Sequence, residues 1–238
     1  MNIVLIGYGK MGQAIEKVAV SRGHSIVHRI TSANAALLNP SDMSGVEVAI
    51  EFTRPEAAKE NVLKCLAAGV RVVCGTTGWN EQVPEAAEIA KNNGLAFLQA
   101  SNFSIGVNIF FEINKRLAAL MNGHAEYNLR IEETHHTAKK DAPSGTAITL
   151  AEQVIDNLQT KNEWILGSRT AEGQLPIVAH RVEHVPGTHK VTYSSAIDDI
   201  EIIHTAHSRD GFALGAVLAA EYIAGKSGVF SMKDVLGI

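Results

Sequence analysis

The run Asn2-Ile3-Val4-Leu5-Ile6 leads directly into Gly7-Tyr8-Gly9-Lys10-Met11-Gly12. Ala14, Ile15, Val18 and Ala19 then recur at helical spacing until Arg22-Gly23. A short continuous apolar run is the mark of a strand buried on both faces. Strand, Gly-x-Gly-x-x-Gly and helix in immediate succession leave few folds open. In that context the first glycine makes a tight turn and the second lets a pyrophosphate approach the backbone. The third lets the helix pack close to the strand. The helix N-terminus then presents unpaired N–H groups to the phosphates. The glycine pattern alone is weak, and a plain turn is the competing reading. Its strand-to-helix setting is what points to a dinucleotide.

His24 to Ile30 predicts a second strand. Proteins that select NADH usually carry Asp or Glu at the end of this strand, for the ribose hydroxyls. This chain has Thr31-Ser32-Ala33-Asn34 there, with Arg29 just before. Nothing in that stretch repels a 2′-phosphate; Arg29 can pair with one or, if it lies inside the strand, only cap the sheet. NADPH is therefore favoured, with use of NADH left open. Residues 31–45, with Pro40 among them, are thin for a crossover helix.

Val46 to Phe52 predicts the next strand, and Pro55 suits the first turn of a helix running to Ala68-Gly69. Val70 to Cys74 follows as a strand and ends in Gly75-Thr76-Thr77-Gly78. Open α/β sheets hold ligands at the carboxyl ends of their strands, so Phe52, Gly75, Thr76 and Thr77 are candidate cofactor contacts. A helix over Asn80 to Asn93 and a strand over Leu95 to Leu98 bring the count to five strands with interleaved helices. That alternation predicts a Rossmann-type doubly wound parallel sheet.

Ala100-Ser101-Asn102-Phe103-Ser104-Ile105-Gly106 reads as a polar joint. Val107 to Met121 is apolar nearly all round, which predicts a well-buried helix. The period then changes. Tyr127, Leu129 and Ile131 alternate with Asn128, Arg130 and Glu132, a strand with one wet face that delivers His135 and His136 at its end. Ser144 to Leu158 predicts a helix with Ser144 as its N-cap. Ile177 to His184, His189 to Ala196 and Asp199 to His207 are strands with no helix between them. This is an α+β mixed-sheet domain. Ile202, Val191 and Tyr193 give it more apolar surface than one helix layer is expected to cover, so a subunit interface is expected. A final helix from Gly211 to Gly225 is expected to return to the first domain. The domains are thus residues 1–103, completed by 211–238, and 104–210.

The net charge of -4 gives no nucleic-acid footprint. No apolar run is long enough for a membrane span, and no basic leader precedes the first strand, so a cytoplasmic protein is expected. Cys65 and Cys74 are too few for a disulfide framework and read as reduced thiols.

The densest chemistry lies in Glu132-Glu133-Thr134-His135-His136-Thr137-Ala138-Lys139-Lys140-Asp141-Ala142-Pro143-Ser144-Gly145-Thr146-Ala147. Histidine trades a proton near neutral pH, and lysine supplies a positive point charge or a proton. A Ser-Gly-Thr turn entering a helix offers N–H groups to a carboxylate or phosphate. Together they suggest a site that binds an anion and protonates it. His135 and His136 project to opposite sides if extended, so at most one is catalytic. A zinc site joining them to His204-x-x-His207 lacks a recognisable ligand spacing, and no metal is expected. Ser144 lacks a Gly-x-Ser-x-Gly elbow, and an N-cap explains it better than a hydrolase nucleophile.

Over nearly its whole length the chain resembles the 4-hydroxy-tetrahydrodipicolinate reductase (dihydrodipicolinate reductase) family. Gly7-x-Gly9-x-Met11-Gly12, Gly75-Thr76-Thr77-Gly78 and Asn102-Phe103-Ser104-x-Gly106 match in order. So do Glu133-x-His135-His136-x-x-Lys139-x-Asp141-Ala142-Pro143-Ser144-Gly145-Thr146-Ala147 and Arg209-x-x-Phe212-Ala213-x-Gly215-Ala216. The resemblance implies hydride transfer from NADH or NADPH to a cyclic unsaturated dicarboxylate, in diaminopimelate and lysine biosynthesis, by a homotetramer. It implies His135 as proton donor/acceptor and Lys139 as proton donor. His136, Lys139, Ser144, Gly145 and Thr146 are the implied substrate ligands. Gly7, Tyr8, Gly9, Lys10, Met11, Gly12, Gly75, Thr76, Thr77, Ala100, Ser101, Asn102 and Phe103 are the implied cofactor contacts, to which the strand ends add Arg29, Thr31 and Phe52. The competing functions are reduction of another small imino or amino acid, and non-catalytic NAD(P) sensing on the same scaffold.

Overall fold

In the computed structural model, which describes residues 1–168 and 171–238, the opening run is strand β1 (Asn2–Ile6). Helix α1 (Lys10–Ser21), strand β2 (Ser25–Ile30) and strand β3 (Val48–Glu51) follow; only a short 3-10 turn (Ala35–Leu37) connects β2 to β3. Helix α2 (Pro55–Ala67), strand β4 (Arg71–Cys74), helix α3 (Val83–Asn92) and strand β5 (Ala96–Gln99) continue the alternation. Next come helix α4 (Ile105–Met121), strand β6 (Asn128–His135), helix α5 (Gly145–Asn157) and strands β7 (Glu163–Leu166), β8 (Gln174–Arg181), β9 (Gly187–Ser194) and β10 (Asp199–Ala206). Helix α6 (Asp210–Ile223), strand β11 (Gly228–Phe230) and helix α7 (Met232–Leu236) close the chain.

Contacts divide these elements into two units, residues 1–105 with 209–238, and residues 106–208. The first unit holds a six-stranded parallel sheet in the order β11-β5-β4-β3-β1-β2. Successive residues of a strand point to opposite faces. Val4, Ile6, Ala49, Val72 and Phe97 therefore pack under α2 and α3, while Ile3, Leu5, Val48, Ile50 and Leu98 pack under α1, α6 and α7. This is the doubly wound α/β class expected from the alternation. The sixth strand and last helix were missed, because Gly228-Val229-Phe230 is too short to show a period.

The second unit has one mixed sheet in the order β10-β9-β6-β8-β7. Helices α4 and α5 cover one face, burying Leu129, Ile131, Ile177, Val191 and Tyr193 against Phe110, Phe111, Leu150 and Val154. Two expectations are corrected here. Val191 and Tyr193 are buried within the unit and offer no interface. Helix α4 is not buried all round: Ile109, Ile113 and Leu120 are 44%, 47% and 57% exposed. An apolar residue at most positions hides which face is covered. The edge strand β7 was also missed, being four residues long and partly exposed.

Candidate active site

In the first unit the chain runs from β1 to β2 on one side and returns to β3 on the other. The carboxyl ends of β1 and β3 flank that switch point, where such sheets form their ligand crevice. Gly7 there has φ +91, and a side chain on it would place Cβ 2.0 Å from the Phe52 carbonyl oxygen. A Cβ on Gly12 would lie 2.3 Å from the Gly7 carbonyl oxygen. The third glycine is thus needed against the loop itself. Gly9 meets nothing within 4 Å, the open side a pyrophosphate requires.

Gly9, Lys10, Met11 and Gly12 face Phe52 and Thr53, and then Gly75, Thr76 and Thr77, across a hollow of ≈ 320 Å³. The loops are tied together. Thr53 N–H donates to Thr76 Oγ1 at 2.8 Å, and Trp79 Nε1–H donates to the Thr76 carbonyl at 2.9 Å. Beneath them Glu51 is fully buried, accepting from the Thr53 hydroxyl and, at 3.1 Å, from the Cys74 thiol. Burial and the Glu51 carboxylate hold that thiol above its ordinary value, so it stays a donor.

A second cleft of ≈ 640 Å³ runs from Gly7, Tyr8 and Gly9 past Thr31 and Ser32 to Arg54 and Lys64. Arg29 is not among its lining residues. Its guanidinium is bonded to Glu16, which also accepts from the Tyr8 hydroxyl. Arg29 lies within β2, and Glu16, one α1 turn beyond Gly12, engages it. Of the last loop, Ala100 is half-buried and Ser101 exposed, whereas the Phe103 ring is buried 5.5 Å from that of Phe52. Asn102 Oδ1 accepts from Ser104 N–H at 2.9 Å. Phe103 therefore serves the core with its side chain and has only its backbone to offer a ligand.

In the second unit, β6 turns Leu129, Ile131, Glu133 and His135 to the covered face of the sheet. Register sets His189 on β9 opposite Glu133, and Arg181 on β8 opposite His135. Glu133 is fully buried, with Arg181 3.3 Å from its Oε1. Arg181 also donates to the carbonyls of Lys139 (3.3 Å) and Asp141 (2.6 Å), clamping the loop after β6. Sequence reasoning missed Arg181 and His189; each is a lone residue on a strand with no local pattern.

His135 is buried and His136 half-buried. Lys139 Nζ donates to Asp141 at 2.6 Å. Ser144 caps α5, its Oγ accepting from Ala147 N–H at 3.2 Å, a bond that contributes about 1 kcal/mol. The same Oγ meets His189 Nε2 at 3.1 Å, and Ser144 N–H donates to Glu133 at 3.0 Å. Both polar groups of Ser144 are thus engaged inside the unit. Gly145 begins the helix with open space at its Cβ position and a first-turn N–H that has no helical carbonyl to meet.

Burial, above all, lowers the pKa of His135; Glu133 and Asp141 oppose this, and Lys139 and Arg181 add to it. Burial first, then neighbouring His135, pushes His189 down to about 3. The His135 and His189 rings stand edge to face, 5.0 Å apart. A histidine whose folded pKa lies below its ordinary 6.5 costs nothing above that pH and destabilises the fold as pH falls toward about 3. Acidification from pH 7.5 to 5 is expected to cost about 2 kcal/mol through His189. His189→Gln should flatten the dependence of Tm on pH over that range; an unchanged slope would contradict the assignment.

Glu133, His135 and His189 bring three metal-capable atoms within 4.8 Å, a cluster not suggested by the His204 spacing. Its carboxylate is already balanced by Arg181 and bonded to Ser144. No described helix is long and apolar enough to cross a membrane.

Residues 1–103 match the family model described as dihydrodipicolinate reductase, N-terminus, and residues 106–236 match dihydrodipicolinate reductase, C-terminus. The chain is 50% identical over 238 residues to a 4-hydroxy-tetrahydrodipicolinate reductase of Christiangramia forsetii, covering 99% of this chain and 98% of the relative. It is 34% identical to the protein of that name from Chromobacterium violaceum, covering 100% and 98%. The structure of dipicolinate-bound dihydrodipicolinate reductase from Paenisporosarcina sp. TG-14 shares the fold, with a TM-score of 0.78 over 98% of both chains at 22% identity. Both halves match in the right order, and half of the residues are shared with a relative of the same span: the chain belongs to the dihydrodipicolinate reductase family.

Proposed function

We propose that the chain catalyses NAD(P)H-dependent reduction of 4-hydroxy-tetrahydrodipicolinate to tetrahydrodipicolinate, in the diaminopimelate/lysine pathway. The observation that carries this is one unit holding a buried histidine, a lysine and an anion-ready helix start within the short span His135–Gly145. The open Gly9 face and tied loops of the other unit fit a dinucleotide. Bound there, the reduced nicotinamide supplies the hydride.

The substrate is a dicarboxylate and needs two anion sites. The N–H groups of Gly145 and Thr146 supply one. Lys139 and His136 supply the other, with a substrate carboxylate taking the place Asp141 holds at Lys139. Once the 4-hydroxyl has left as water, hydride addition to the resulting conjugated C=C–C=N ring builds negative charge that an acid must quench. His135 and Lys139 are the proposed acids. The nearby anion raises the proton affinity of His135 against the burial that lowers it.

Gly7 to Gly12 and Gly75 to Thr77 would hold the phosphates of the coenzyme, Thr31 would serve its adenosine end, and the backbone of Ala100 to Phe103 would complete the set. NADPH is preferred and NADH is also used. The end of β2 carries no carboxylate, and Arg54 and Lys64 line the cleft beside it, with Glu60 paired to Lys64. Oxidation of reduced coenzyme, followed at 340 nm with substrate made in place from pyruvate and aspartate semialdehyde by its synthase, tests the reading. Turnover should depend on the synthase, with kcat/KM higher for NADPH. Coenzyme binding without turnover would contradict it, and a higher value for NADH would reverse the preference.

We further propose a homotetramer in the cytoplasm. Strand β10 is an open edge with Ile203 exposed on the face away from the helices, and Ile197 is exposed at its hairpin. Light scattering should give four times the 25.5 kDa chain mass; a monomer would contradict it.

A further inference from the structure

Glu133 is fully buried yet belongs to neither ligand set. Its Oε2 accepts Ser144 N–H at 3.0 Å and lies 3.6 Å from His135 Nδ1 and 3.8 Å from His189 Nε2. His135 Nδ1 is buried and has no hydrogen-bond partner. The opposite edge of that ring lies against Gly187, where even a Cβ would come within 3.2 Å of Nε2 and Cδ2.

We propose that Glu133 is a positioning residue that holds His135 with its hydrogen on Nδ1, leaving Nε2 to exchange the reaction's proton. The inference rests on the reading of His135 as a proton donor. An ionised carboxylate only accepts, so it favours the hydrogen on the nitrogen that faces it. At 3.6 Å the two atoms are not hydrogen-bonded, and catalytic hydrogen bonds are often long in the free protein and tighten only when substrate is bound. Among the described neighbours, Lys139 and Arg181 are donors, His189 Nε2 is engaged by Ser144, and Asp141 is taken up by Lys139. Arg181 keeps the buried carboxylate paired, without which it would be strongly unfavourable. Through Ser144 N–H the same oxygen fixes the helix start that presents Gly145, so one carboxylate sets both the proton and the anion turn.

The charged groups around His135 give the sign of the effect. Glu133 on its own strand and Asp141 in the following loop favour the imidazolium. Lys139 in that loop and Arg181 on β8 oppose it, and the neutral ring of His189 on β9 stands beside it. Removing the Glu133 charge should therefore make His135 less basic.

Nitrogen-15 spectra of the histidine-labelled full chain test this directly. In the wild type, neutral His135 should carry its hydrogen on Nδ1. Glu133→Gln should lower the His135 pKa by about one unit or more, and Glu133→Asp should keep it near the wild-type value. An Nε2–H tautomer in the wild type, or an unchanged titration in Glu133→Gln, would overturn the proposal. The tautomer measurement needs no variant, so it decides even if Glu133→Gln fails to fold. The alkaline limb of the kcat profile separates the two claims. A limb that moves to lower pH with the titration supports both. A titration that moves while the limb stays still removes the proton-donor reading and leaves the positioning role standing.

Discussion

His135→Gln should lower kcat by about 10²–10⁴-fold while KM for substrate changes only a few-fold. Glutamine roughly fills the site and can still meet Glu133, but it has no group that titrates near neutral pH. The proposed anion contacts, Lys139 and the N–H groups of Gly145 and Thr146, remain in place. The ring is enclosed by Glu133, His189 and the bare backbone of Gly187. His189 is held neutral and bonded to Ser144, which makes it a poor substitute acid. Steady-state kinetics with saturating coenzyme measures the effect. A variant with wild-type kcat would show that His135 does not deliver the proton.

Gly12→Val should weaken reduced-coenzyme binding by on the order of 10–100-fold or more. The added Cβ would sit 2.3 Å from the Gly7 carbonyl oxygen, and backbone cannot move aside as a side chain can. Gly7 is itself fixed, with φ +91 and the Phe52 carbonyl behind it. The strain would push the α1 N-terminus away from the place where it meets the phosphates. Fluorescence titration with reduced coenzyme reads the loss, and a thermal melt checks that the variant is folded. Unchanged affinity in a folded variant would refute the assignment of this loop.

Local patterns made most of the architecture legible. The first strand, turn and helix follow from adjacent residues, as does the Ser144 cap, because each depends on spacing within one turn. What stayed hidden depends on distant partners. The pairing of Arg29 with Glu16 is visible only in the fold, and Glu133 looked like one acid in a polar run until Arg181, 48 residues on, reached its side chain. His189 became part of the cluster only through the pairing of β9 with β6. The apolar faces of α4 show the same limit. A sequence rich in Ile and Phe reports that a helix is greasy and does not say which side the sheet covers.

Isotope tracing decides whether the two units carry out one reduction. The protein would be supplied with coenzyme deuterated at the transferable position of the nicotinamide, in ordinary water, with substrate made in place. The product should carry one deuterium per molecule, and turnover in heavy water with unlabelled coenzyme should place solvent deuterium at a different ring atom. Product formed without the coenzyme's deuterium would contradict hydride transfer, and with it the reductase assignment.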